Sequence, residues 1–199
     1  MTARLVYVSL LCAFSASAQV IEFESGGLHY QTLTRNGVTV MWAKLPLHLR
    51  EYNVIQVAVS NGSPVSWSIK PEDFSFQRQD GTVIPATPAR AVVNDFMSRG
   101  GRSDVIKLVT AYEAGLYGMT RFRSTNGYEV RRQAALAEVS STRLKSAAAA
   151  SAIVLVQTKL ASGQSTDGAV FFVNSGKSLG PGKLLVRAAG ELFAFDSPD

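Results

Sequence analysis

The sequence predicts a mainly β protein, an antiparallel sandwich interrupted by one helical segment. Residues 28–88 consist of short runs in which apolar side chains alternate with polar ones, separated by turn formers, and the same pattern returns after residue 153. Between about residues 89 and 152 the apolar spacing changes to that of a helix. Helices confined to the middle of the chain do not fit alternating βαβ units, so strands on the two sides of the insertion are expected to share sheets.

The elements follow in order. Leu28 to Arg35 and Val38 to Ala43 are strands joined by Asn36-Gly37, a two-residue hairpin signal that requires positive φ at both positions. Asn53 to Ser60 is a third strand, ended by Asn61-Gly62-Ser63-Pro64, and Val65, Trp67 and Ile69 share one face of a fourth that Pro71 stops. Phe74 and Phe76 alternate with Ser75 and Gln77, and Asp80-Gly81 turns the chain into Thr82 to Ile84.

Ala89 to Met97 is a helix ended by Gly100-Gly101, and Asp104 to Gly115 is a second, with Val105, Leu108, Val109 and Tyr112 along one stripe. Tyr128 to Ala152, rich in Ala, Arg, Glu, Leu and Gln, is a third. Ile153 to Leu160, Ala169 to Val173, Leu184 to Arg187 and Leu192 to Phe195 are the closing strands, the last two joined around Ala189-Gly190. The expected core is Val57, Val59, Trp67, Ile69, Phe74, Phe76, Val170, Phe172, Leu185 and Phe195.

A length of 199 residues suits one domain, and 46% hydrophobic residues suffice for a core. The first eighteen residues read as a leader. Arg4 precedes an apolar run from Leu5 to Phe14, too short to span a bilayer, and Ala16-Ser17-Ala18 offers the small residues of a cleavage site. Residues 19–27 are then expected as a mobile N-terminus of the mature chain and 28–199 as a single domain. The lone cysteine, Cys12, lies inside the leader with Leu11 before it, an arrangement that does not suit lipidation. The expected mature chain therefore has no disulfide, thiol nucleophile or thiolate metal site, and its expected location is periplasmic or extracellular.

Catalytic patterns are sparse. His29 and His48 form no metal-ligand spacing, there is no G-x-S-x-G elbow, and Ser175-Gly176-Lys177-Ser178 lacks the earlier glycine of a phosphate loop because Phe171 occupies that position. Glu72-Asp73 and the pair Glu22 and Glu24 stand out no more than other acids. Trp42, Tyr52 and Trp67 are candidates for a ligand surface, although the β-branched neighbours of Trp42 and Trp67 favour the core. Neither a cofactor nor a catalytic residue is proposed from these patterns.

Val54 to Asn61, then Val65 to Phe76 with Asp80-Gly81, and later Leu160 to Phe172, resemble exported bacterial immunoglobulin-like domains of poorly characterised function. The likeness covers roughly residues 28–88 and 153–196 and leaves out the helical middle. It implies an immunoglobulin-like sandwich acting as an extracytoplasmic interaction or structural module, and brings no catalytic residue with it.

Charge is distributed unevenly. The whole chain carries +5, and between Arg90 and Lys145 ten Arg and Lys stand against five Asp and Glu. The expectation is a non-enzymatic module whose basic insertion binds an acidic protein or another anionic partner of the cell envelope, with Arg121, Arg123, Arg131 and Arg132 facing it. A hydrolase of an envelope component and a purely structural domain are the alternatives. Nucleic acid is not expected, since no dense basic tract is interleaved with aromatics.

Overall fold

A computed structural model describes residues 19–118, 130, 131, 134 and 141–198. Among the described residues the protein is mainly β, with antiparallel sheets and no closed barrel. The first sheet contains β1 (Ile21–Ser25), β2 (Leu28–Arg35), β3 (Val38–Leu49), β4 (Tyr52–Asn61) and β9 (Ser165–Val173), side by side in that order. The second, in the order β11-β10-β6-β7, contains β6 (Phe74–Arg78), β7 (Val83–Pro85), β10 (Gly182–Ala188) and β11 (Glu191–Ser197). A small third sheet pairs β5 (Trp67–Ile69) with β8 (Thr158–Leu160). Three helices are described along their length, α1 (Ala89–Arg99), α2 (Arg102–Gly118) and α3 (Thr142–Ile153).

The turns follow local backbone chemistry. Asn36 and Gly37 have φ of 47° and 78°, and Ala189 and Gly190 have 51° and 81°, the positive pair that a two-residue hairpin between twisted strands needs. Gly26 and Gly27 adopt the same conformation at 59° and 76°. This corrects the expectation of a mobile segment at 19–27: the glycine pair folds Ile21–Ser25 back as β1, in register from Ile21 opposite Thr32 to Ser25 opposite Leu28.

Strands before and after the helices pair directly. β4 lies antiparallel to β9 from Tyr52 opposite Val173 to Ser60 opposite Ser165. β6 lies antiparallel to β10 from Phe74 opposite Val186 to Arg78 opposite Gly182. Two cores result, one on each face of the five-stranded sheet. Val40, Val57, Val59, Val170 and Phe172 meet Phe74, Phe76, Leu184, Val186, Phe193 and Phe195 of the second sheet. On the opposite face Tyr30, Met41, Val54 and Phe171 meet Val92, Phe96, Leu108, Ala150 and Ile153 of the helices. Covered on both faces, β4 is buried at every position but Ser60, which is how Gln56 becomes fully buried beside Val57.

Other expectations change in detail. Leu185, placed in the core from sequence, is only half-buried, whereas Leu184 and Val186 on the other face of the same strand are fully buried. β3 continues past Ala43 to Leu49, accommodating Pro46 in a register shift between Lys44 and His48. Residues 153–157, expected within a strand, instead complete α3 and form a single bridge from Val154 to Ala169 before β8. The long helix expected over 128–152 does not run unbroken, because Ser141 is extended (φ −85°, ψ 133°) and caps the start of α3.

Candidate binding surface

The helices stand on the five-stranded sheet by apolar contacts and one polar joint. Val92 and Phe96 of α1 pack inward, Phe96 against Tyr52 with ring centroids 6.1 Å apart and Tyr52 edge-on to Phe171 at 5.7 Å. Burial and the nearby Asp95 carboxylate push the Tyr52 phenol up to about 12. The joint lies between α1 and α2, where Arg50, in the β3–β4 turn, donates to Asp104 Oδ2 from Nε at 3.0 Å and Nη2 at 2.9 Å. The Gly101 N–H donates to the same oxygen at 2.8 Å, and Arg50 also donates to the Arg99 carbonyl. Arg99 in turn pairs with Glu51 at 2.5 Å and with Asp95.

Those pairs use Arg50 and Arg99. In contrast, Arg90, Arg102, Lys107, Arg143 and Lys145 are exposed and have no ion pair among the described residues. Four of them sit on α2 and α3, which are tied near the start of α2: Ser146 Oγ donates to the Gly101 carbonyl at 2.9 Å. A Cβ on Gly100 would lie 2.4 Å from that of Ser146, so only glycine admits this approach. Arg102 follows Gly101 in the chain, and Arg143 and Lys145 precede Ser146 by three positions and one. Ile106 and Leu144, 57% and 43% exposed, lie among these cations.

Of the four arginines singled out from sequence, Arg121, Arg123 and Arg132 lie outside the described residues. Arg131 is helical and half-buried, with Nε and Nη2 shielded from solvent and without a hydrogen-bond partner among the described residues. The exposed cations of α2 and α3 were part of the same charge asymmetry, but sequence spacing carried no signal that singled them out. His29 is exposed and lies 3.5 Å from Glu22, while the side chain of His48 is outside the described set. Trp42 and Tyr52 are buried, Trp42 donating from Nε1 to Gln31 at 3.1 Å, and Trp67 is half-buried. Among the described residues no helix is long and apolar enough to cross a membrane.

No protein-family model and no curated protein matches the chain. Among solved structures, that of the yjhA protein from Bacillus subtilis is similar at 10% identity, covering 84% of this chain and 77% of its own, with a TM-score of 0.34.

Proposed function

We propose that the protein is an exported, non-enzymatic interaction module with an immunoglobulin-like β body, and that its helical block binds an anionic partner, foremost an acidic protein of the cell envelope. The observation that carries this reading is the set Arg102, Lys107, Arg143 and Lys145: exposed on two helices that pack together, and unpaired among the described residues. Exposed cations contribute little to folding, whereas they raise the encounter rate and specificity for a complementary surface. Arg121, Arg123 and Arg132 belong to the same reading through the charge excess of their segment. Export is supported by the leader pattern of residues 1–18, and the immunoglobulin-like body by two antiparallel sheets that share a core.

The test replaces Arg102, Lys107, Arg143 and Lys145 with Gln together and titrates the original and substituted chains with poly-L-glutamate as the acidic probe. The original chain should bind at low salt and weaken steeply as salt rises, because the Debye length falls to about 8 Å near physiological ionic strength. The substituted chain should lose most of that binding and keep its unfolding midpoint. Equal binding by both chains at every salt concentration would show that this surface is only a solvated face.

A further inference from the structure

Three turns converge at one end of the β body around a cleft of about 650 Å³, within the roughly 300–1,000 Å³ usual for small-ligand sites. The turns are tied to one another. The Gly62 N–H donates to the Gly37 carbonyl at 2.7 Å, and a Cβ on Gly62 would stand 2.8 Å from that oxygen, so the β2–β3 turn and the loop after β4 are locked edge to edge. Asn36 Nδ2 donates to Glu191 Oε1 at 2.8 Å, joining the same turn to the start of β11. Behind the wall, fully buried Asn61 donates from Nδ2 to the Val65 and Leu160 carbonyls at 2.9 and 3.0 Å and accepts from Ser63 through Oδ1. The cleft is therefore framed by fixed loops.

Its lining combines two kinds of surface. Val65 is 67% exposed, and Trp67 is half-exposed with its Nε1 shielded from solvent, so the pair offers carbon surface to the cleft. Opposite chemistry comes from Asp73, Arg187, Asn36 and Glu191. Asp73 is held by the Lys70 N–H at 2.9 Å, and its carboxyl is raised above its ordinary value chiefly by burial. Arg187 is exposed and has no ion pair among the described residues.

We propose that this cleft is a binding site for a neutral saccharide, whose apolar ring face lies on Trp67 and Val65 while its hydroxyls bond Asp73, Arg187 and Asn36. The charges decide the class of ligand. A strong anion would meet two carboxylates and a strong cation would meet the guanidinium, whereas each sugar hydroxyl both donates and accepts, satisfying an acceptor-only carboxylate and a donor-only guanidinium together. An aromatic side chain beside a few fixed polar groups is also the usual composition of a small-ligand pocket. This site is separate from the basic helical block and does not depend on its role.

The experiment titrates the full chain with maltotriose, cellotriose and N,N′,N″-triacetylchitotriose up to ~10 mM, a concentration at which even a millimolar binder is mostly saturated, following tryptophan fluorescence and binding heat. At least one saccharide should bind saturably, and Trp67→Ala and Asp73→Asn should each weaken it by about tenfold or more, the scale expected for truncating a central contact. The chain with four Gln substitutions on the helices should bind the saccharide as the original does. Should Trp67→Ala fail to fold by circular dichroism, Asp73→Asn and Val65→Ser carry the comparison. The proposal is overturned if none of the three saccharides binds saturably, or if folded variants bind as tightly as the original chain.

Discussion

A single hydrogen in place of a methyl group decides how the helical block returns to the sheet. A Cβ on Gly168 would lie 2.6 Å from Leu155 Cα and 2.7 Å from its nitrogen, both backbone atoms that cannot swing away. The closeness is functional for the fold, because the Leu155 N–H donates to the Ala169 carbonyl at 2.8 Å and Val154 bridges to Ala169. Gly168→Ala should therefore destabilise the protein by about 1–3 kcal/mol, the range for forcing extra volume into a packed site. Gly101→Ala is the matched control, since its Cβ would meet nothing closer than Asp104 Oδ2 at 3.6 Å. Urea denaturation of both variants checks the difference, and equal losses would refute the backbone-contact argument. The glycine is visible in the sequence, but its partner is not: Leu155 becomes its neighbour only when the chain leaves α3 and crosses β9.

Among the elements, the α1–α2 corner rests on one carboxylate oxygen that accepts two N–H groups of Arg50 and one of Gly101. Asp104 is buried, whereas Arg50 stays partly open to solvent with its side chain 28% exposed. Removing the acid by Asp104→Ala leaves a guanidinium and a backbone N–H without their acceptor. Solvent reaches Arg50, so the loss should be about 1–3 kcal/mol, below the figure for a fully buried pair. Amide hydrogen exchange should quicken in the first turn of α2 before it changes in β4. Unchanged exchange there would mean that apolar packing alone holds the corner. Sequence periodicity placed Val105, Leu108 and Val109 on the inner stripe of this helix; Leu108 is buried and the two valines are half-buried. It gave no sign of Asp104, because an acid in a first turn reads as ordinary helix-dipole chemistry until Arg50 is brought to it from 54 residues away.

At the scale of the molecule, pairing joins residues 52–78 to residues 165–186 across the helical segment. One face of the five-stranded sheet then holds the second sheet and the other holds the helices, so neither core is complete without strands from both halves of the chain. Unfolding followed by calorimetry should accordingly show a single cooperative transition, with calorimetric and van't Hoff enthalpies in agreement. Two resolved transitions would mean that the helices or one sheet melt as an independent unit.

Features that depend on near neighbours could be read from the chain directly. Asn36-Gly37 and Ala189-Gly190 are turns because positive φ is a local steric matter, the runs around Val57 and Phe74 are strands because apolar side chains alternate there, and the cations gather between Arg90 and Lys145 whatever the fold. Gly26-Gly27 has the same positive-φ pair, a turn that the expectation of a mobile segment at 19–27 overlooked. Packing set the rest: β4 is covered on both faces and buries Gln56, Leu184 and Val186 rather than Leu185 point inward, and Trp67 borders a cleft while Trp42 is enclosed. It likewise decided which cations remain unpaired, turning attention from the Arg131 guanidinium to Arg102, Lys107, Arg143 and Lys145. Distance along the chain separates the two groups. Backbone conformation answers to a few adjacent residues, whereas burial and the Arg50–Asp104 pair are set by segments far apart in the chain, whose contacts exist only once the fold has closed.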